Sequence, residues 1–209
     1  DFLPLKLILM INKIFLSLKF LVDINLALIL LILLSPLFLL VSIVIILDSG
    51  LPVFFFQKRV GLNGKLFTMY KFRTMKEVPN FKGQKYHCYE GDERITFTGK
   101  YLRKYSLDEL PQLINVIKGD MSLVGPRPHA IQHNEYYRKL ITGYMQRHSR
   151  IPGITGLAQI NGARGETSKI EKMQLRVEYD LEYNNNWNLW KDIKILLNTI
   201  LLVSRGDAN

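Results

Sequence analysis

Ser106-Leu107-Asp108-Glu109-Leu110-Pro111 places two adjacent carboxylates just ahead of a proline and an apolar run, with Arg103 before them and Gly125-Pro126-Arg127-Pro128 after. An Asp beside a Glu can supply a nucleophile together with a metal ligand or an acid/base partner. Arg103 and Arg127 are planar cations whose paired N–H groups match phosphate oxygens. Pro126 and Pro128 stiffen the loop that carries Arg127. Pro111 lacks an N–H and fits a first helical turn, not a helix interior. Asp108 and Glu109 therefore fall at or beside a helix N-terminus, where anions are favoured. The same residues admit a purely structural reading. Ser106 and Glu109 have the Ser-x-x-Glu spacing of a capping box, which only starts a helix.

Other chemistries find little support. The phosphate loop, the GxGxxG dinucleotide fingerprint and the GxSxG elbow are absent from the sequence. One cysteine, Cys88, excludes an internal disulfide and a cysteine-based zinc cluster. His129 and His133 are spaced to share one helix face, but no third ligand accompanies them, so two solvated histidines on a surface helix are expected. Lys58, Arg59, Lys71 and Arg73 could meet lipid headgroups or a lipid phosphate, or form a solvated strand face.

The elements that must position these residues are unevenly composed. The 209 residues are 48% hydrophobic with a net charge of +10, which points to an anionic partner. A nucleic acid is disfavoured, since there is no basic helix or aromatic stacking motif to read one. Phe2–Leu21 is an apolar block interrupted by Lys6, Lys13 and Lys19, the pattern of an interfacial helix or a linker. The chain starts at Asp1 and not at a methionine, which suggests that a further N-terminal region precedes it.

From Ile24 to Leu47 no charge occurs, and one straight helix of that length would reach about 36 Å, enough to span a bilayer core. Ser35-Pro36 breaks it near the middle, removing one backbone hydrogen bond and freeing a carbonyl near Ile32 for Ser35 or water. Basic residues flank both sides, so both flanks favour the same membrane face. A re-entrant hairpin turning at Ser35-Pro36 satisfies this better than a kinked span. Asp23 at its entry needs a partner, and Lys19 lies one turn earlier.

Beyond the turn at Asp48–Pro52, Val53–Gln57 and Leu66–Thr74 read as strands joined by a basic loop, Lys58–Lys65. Glu77–Arg94 reads as a surface loop and Leu107–Lys118 as a short helix. His129–Tyr144 and Thr167–Asn184 have helical spacing. Leu189–Ser204 carries a stripe of Leu189, Ile193, Leu196, Leu197, Ile200 and Leu201, which is expected to be ordinary core, with membrane-surface contact as the other reading.

Taken in order, the pieces resemble the bacterial sugar transferase family, the monotopic phosphoglycosyl transferases. The resemblance runs from about Lys19 to the end and is carried by Tyr70–Met75, Ser106–Gln112, Gly119–Pro128 and Pro152–Gln159. Within the family, His129–Tyr137, Gly143–His148, Asn161–Thr167 and Tyr179–Asp192 are most similar to the undecaprenyl-phosphate glucose-1-phosphate transferases, though Leu157 and Ala163 stand where aromatics are common.

The resemblance implies a helix-rich α+β fold: a re-entrant membrane hairpin, interfacial helices, and a small β-sheet around the active site. The divisions expected are residues 1–21 as interfacial helix or linker, 22–50 as the hairpin, and 51–209 as a cytoplasmic catalytic domain. It also implies transfer of a sugar-1-phosphate, from a UDP-sugar to undecaprenyl phosphate, at the cytoplasmic face of a bacterial inner membrane. Glucose-1-phosphate is expected; galactose or an N-acetyl sugar is the alternative, and a non-enzymatic basic membrane module is the rival class. Asp108 would be the nucleophile, with Mg²⁺ held by Asp108 and Glu109. Arg103, Arg127, Lys71 and Asp180 would complete the phosphate site, beside membrane lipids as partners and with homo-oligomerisation allowed.

Overall fold

The computed structural model describes residues 5–76, 92–165 and 170–205. The surface loop expected over Glu77–Arg94, Cys88 included, therefore lies mostly outside the described residues.

Two long apolar helices open the chain: α1, Leu5–Leu33, and α2, Ser35–Ser49. One helix joins the lysine-interrupted block to the charge-free one without a break before Leu33. Leu34, at φ −90° and ψ 1°, separates α1 from α2. Pro36 cannot donate to Ile32, and the Ser35 hydroxyl donates to the Ile32 carbonyl instead at 2.7 Å. This is the partner expected for that freed carbonyl.

Both arms return to the same globular body. On α1, Ala27 is fully buried in the core that holds Leu113, Val116 and Leu123. On α2, Val41 and Ile45 pack with Phe72 and Leu102. Asp48, at the end of α2, accepts from the Thr98 backbone N–H at 2.9 Å. Much of the remaining described surface of both helices is apolar and exposed, Leu33 and Leu47 being 69% and 80% accessible.

A hairpin follows, β1 (Phe54–Val60) against β2 (Leu66–Phe72), antiparallel with Gln57 opposite Met69. The first strand runs on through Lys58, Arg59 and Val60, residues expected in the connecting loop. Cross-strand pairing through Arg59–Phe67 decides this, because each further pair satisfies backbone groups that a loop would leave to water. The helix α3 (Phe97–Lys104) is capped by Thr96, whose hydroxyl accepts from Gly99 N–H. After it comes a 3₁₀ turn, Leu107–Glu109, then the short helix α4 (Gln112–Ile117). The expected Leu107–Lys118 helix is thus two pieces joined at Leu110-Pro111.

The strand β3 (Ser122–Val124) pairs in parallel with β4 (Gly153–Thr155). Between them lie α5 (Ile131–Tyr137) and a 3₁₀ helix, Tyr144–Ser149. The short α6 (Leu157–Ile160) and the longer α7 (Ile170–Asn185) and α8 (Leu189–Arg205) complete the chain. A side chain at Gly153 would collide with the Gly125 backbone, so glycine is required where the two loops touch.

The stripe on α8 corrects the sequence reading. Asp192 and Ile195 face inward, whereas Ile193, Leu197, Ile200 and Leu201 are 45–64% exposed, with Trp190 beside them at 63%. The helix meets the body through Ile195 and, from the predicted stripe, through the partly buried Leu196.

A buried polar knot ties α1, α7, α8 and β3 together. Lys19 Nζ lies 3.3 Å from Asp23, the partner its spacing predicts, and 2.6 Å from Asp192. Asp192 also accepts from Tyr183 at 2.7 Å and from Trp187 Nε1 at 3.0 Å. Ser122 donates to Asp23 at 2.5 Å. Asp192→Ala leaves Lys19, Tyr183 and Trp187 without this acceptor. It should cost about 3–5 kcal/mol, the scale for breaking a buried ion pair; thermal unfolding in detergent micelles reads the loss.

Candidate active site

The strand β2 and the helix α4 are stitched together by one fully buried side chain. Asn115 accepts from Tyr70 N–H at 3.0 Å and donates to Thr68 C=O at 2.7 Å, as a neighbouring strand would. That fixes the turn ahead of α4 against Lys71, the residue after Tyr70. Lys71 Nζ stands 2.7 Å from Glu109 and 3.5 Å from Asp108.

Ser106 adopts a left-handed backbone, φ 52°, and its side chain caps nothing. The capping box is therefore not formed. A hydroxyl on a residue turned into that conformation does not meet the N–H it would have capped, and Glu109 is taken by stronger, charged partners. A non-glycine residue held at positive φ costs energy and is typical of functional turns. It places Asp108 and Glu109 side by side, only 6% and 8% accessible.

Glu109 forms a two-pronged pair with Arg127, with Nη1 to Oε2 at 2.9 Å and Nη2 to Oε1 in close contact. Burial alone would raise its pKa, but the charges of Arg127 and Lys71 outweigh burial and hold it well below the usual carboxylate range. Burial dominates at Asp108 and raises its pKa, opposed by Lys71 and aided by the Glu109 charge. Glu109 in turn raises the pKa of Arg127, which is a permanent cation here.

The Arg127 loop is held at four successive carbonyls. Gly153 N–H donates to Pro126 at 3.0 Å, Arg147 to Arg127 at 2.8 Å, Arg59 to Pro128 at 3.2 Å and Val60 N–H to His129 at 3.2 Å. The sequence places Arg59 among basic residues facing lipid headgroups or solvent and does not single out Arg147; both instead donate to carbonyls far along the chain. Asp180 on α7 is 1% exposed and accepts from Arg147 Nε at 2.9 Å. Burial raises its pKa despite that partner. It is bonded to the residue behind Arg127, and no hydrogen bond joins it to Asp108 or Glu109. Arg103, on α3, donates to Thr74 at 3.0 Å and contributes charge near Asp108.

His129 is buried, not solvated, with Nδ1 2.6 Å from the Tyr144 hydroxyl. Its backbone is fixed by β1, and burial together with Arg147 holds the imidazole neutral, its pKa well below the ordinary value. Among the described residues no cluster of three or more His, Cys, Asp or Glu gathers around a metal-sized site. The carboxylate pair itself keeps capacity. Asp108 Oδ1 takes no hydrogen bond among the described residues, and Glu109 Oε2 accepts one, from Arg127. Two hard oxygens with spare lone pairs suit a divalent cation whose other ligands are phosphate oxygens and water.

The family description "Bacterial sugar transferase" matches residues 14–206. The chain belongs to the bacterial sugar transferase family. It is 53% identical over 85% of its length to the UDP-glucose:undecaprenyl-phosphate glucose-1-phosphate transferase of Escherichia coli, covering 38% of that protein. The transferase of the same name in Caulobacter vibrioides is 44% identical over 87% of the chain, which covers 68% of it. An Aeromonas hydrophila relative described as a UDP-N-acetylgalactosamine-undecaprenyl-phosphate N-acetylgalactosaminephosphotransferase is 40% identical over 88% of the chain and 43% of its own length. The chain spans about two-fifths of the length of the first curated relatives it matches.

Because its pKa is depressed on folding, Glu109 contributes stability above the ordinary carboxylate pKa and loses it on acidification. Wild-type stability should fall as the pH drops from about 5 to 3. Glu109→Gln should cost about 3 kcal/mol at neutral pH, since Arg127 loses its buried partner, and should flatten that acid limb. Chemical denaturation across this pH range reads both effects. A mere helix cap would lose only about 1 kcal/mol.

Proposed function

We propose that this chain is the catalytic part of a phosphoglycosyl transferase. It would move a sugar-1-phosphate, glucose-1-phosphate first among the candidates, from a UDP-sugar to undecaprenyl phosphate. The observation that carries this reading is the buried Asp108–Glu109 pair, in which Glu109 is neutralised by Arg127 and Lys71 while one Asp108 oxygen takes no hydrogen bond among the described residues.

In the first displacement Asp108 Oδ1 attacks the β-phosphorus of the donor. The bond from that phosphorus to the bridging oxygen breaks, and UMP leaves with the bridging oxygen. The product is a phosphosugar ester on Asp108. In the second, an oxygen of undecaprenyl phosphate attacks the same phosphorus and the Asp108 carboxylate leaves. Two displacements at one carboxylate let a water-soluble donor and a membrane acceptor use one pocket in turn. Lys71 and Arg127 reduce the repulsion between an anionic nucleophile and an anionic diphosphate. Asp108 must be ionised to attack, so its raised pKa places the acid limb of the rate above the ordinary aspartate range. Mg²⁺ bound by Asp108 and Glu109 would supply further neutralisation of phosphate charge. Asp180 would act through Arg147 by holding the Arg127 loop, and Arg103 would add positive charge on the other side of the dyad.

The helix pair is proposed to enter the cytoplasmic leaflet of a bacterial inner membrane and return. Support comes from the break at Leu34, from both arms docking on one body, and from the apolar surfaces of α1, α2 and α8. The Lys13–Leu33 stretch is long and apolar enough to cross a membrane by itself, which makes the break the deciding feature. In this arrangement Trp190 and the exposed line of α8 lie in the headgroup zone.

Asp108→Asn should abolish UMP release from a panel of UDP-sugars with undecaprenyl phosphate, together with capture of radiolabelled phosphosugar on the protein. Retained turnover in that variant refutes the nucleophile. In a Cys88→Ser background, single cysteines at Lys13 and Asp48 should react with a membrane-impermeant thiol reagent from the same side of inverted vesicles. Labelling from opposite sides would replace the hairpin with a kinked span.

A further inference from the structure

The carboxylates of the site do not use all of its cations. Asp108 and Glu109 are paired with Lys71 and Arg127, and Asp180 with Arg147. Arg176, buried, and Arg59, half-buried, also lie within electrostatic reach of Arg127. Their hydrogen bonds to the main chain go to carbonyls: Arg59 to Pro128, and Arg176 to Ala163 at 3.0 Å and Gly165 at 3.2 Å. The two Arg176 bonds brace the chain on either side of Arg164.

Arg164 is the cation left over. It is half-buried and faces the dyad closely enough for Arg127, Glu109 and Asp108 all to act on its charge. Its one hydrogen bond among the described residues is long, Nη2 to Ser106 Oγ at 3.4 Å. Among the described residues the remaining N–H groups meet no acceptor, and none of them is sealed in the interior. A desolvated guanidinium held in place with donors unspent is set up for an oxyanion.

We propose that Arg164 binds the phosphate of the nucleotide that leaves, the UMP half of the donor. This rests on the transferase reading above. Lys71 and Arg127 are already bonded to Glu109, beyond the nucleophile in the chain, whereas Arg164 reaches the turn at Ser106, before it. As the phosphorus–oxygen bond breaks, negative charge grows on the bridging oxygen and the departing phosphate. A cation with no direct ion pair to a carboxylate among the described residues is free to stabilise that charge. Arg164 lies in Asn161–Thr167, a stretch that carries the family resemblance, but nothing in its local spacing marks a contact with the dyad. Only folding brings residue 164 to residue 106.

The test measures UMP affinity directly, by isothermal titration on the full chain in nanodiscs, beside steady-state kinetics with the UDP-sugar and undecaprenyl phosphate. Arg164→Gln should weaken UMP binding about 10- to 100-fold, the effect of losing a charge-assisted hydrogen bond. Product inhibition by UMP should weaken in step, while KM for undecaprenyl phosphate stays within about twofold. Arg164→Lys, which keeps the charge but not the fork, should fall between. Ser106→Gly keeps the left-handed turn and removes the Arg164 contact, and it should bind UMP like the wild type.

Unchanged UMP affinity in Arg164→Gln overturns the proposal and leaves the transferase reading standing. So does Ser106→Gly matching the loss, since Arg164 would then act by positioning the nucleophile turn. A wild-type protein that neither binds UMP nor releases it from any donor overturns both.

Discussion

The two-pronged pair between Arg127 and Glu109 is the contact on which the site depends. It joins the turn that bears the dyad to a loop 18 residues along the chain and compensates a carboxylate that burial would otherwise neutralise. Because Glu109 absorbs Arg127 and most of Lys71, its neighbour Asp108 is left under-bonded. Two adjacent carboxylates thus acquire different characters from their surroundings, one fixed as an ion and one with a raised pKa. Splitting two similar groups in this way is a general route to assigning distinct chemical roles.

Everything behind that pair serves to hold it still. Asn115 fastens the dyad's helix to the strand that bears Lys71. The backbone carbonyls from Pro126 to His129 are each engaged by a different element, so Arg127 has little freedom to swing away. Asp180 acts one layer further out, orienting Arg147. Backbone strain at Ser106 is sustained by this scaffold, since a residue left to itself would relax to negative φ.

The same body anchors the apolar helices. Lys19 and Asp23 on α1 share a buried network with Asp192, Tyr183, Trp187 and Ser122. The Ser122 hydroxyl also lies 2.9 Å from the Val124 carbonyl, in the strand that runs into the Arg127 loop. The network that docks α1 on the body is therefore bonded to the strand leading into the Arg127 loop.

Local rules read from sequence were sufficient where the cause is local. Proline chemistry set the break at Ser35-Pro36 and the start of α4, spacing alone predicted the Lys19–Asp23 pair, and the apolar runs defined the helices. Asp108, Glu109, Arg127 and Lys71 were legible because the chain carries them in distinctive motifs, and the structure brings all four together. What sequence could not decide was which neighbours each residue meets. The Ser106 side chain caps no helix because its turn is left-handed. His129 is buried, and the outer line of α8 is exposed because α8 packs through Ile195. Arg59, Arg147 and Arg164 gain their places from partners 69, 20 or 33 and 58 residues away. Sequence fixes how each segment can fold and which groups are charged. Only tertiary packing, by taking charges out of water, decides which of them are neutralised and which are left for a substrate.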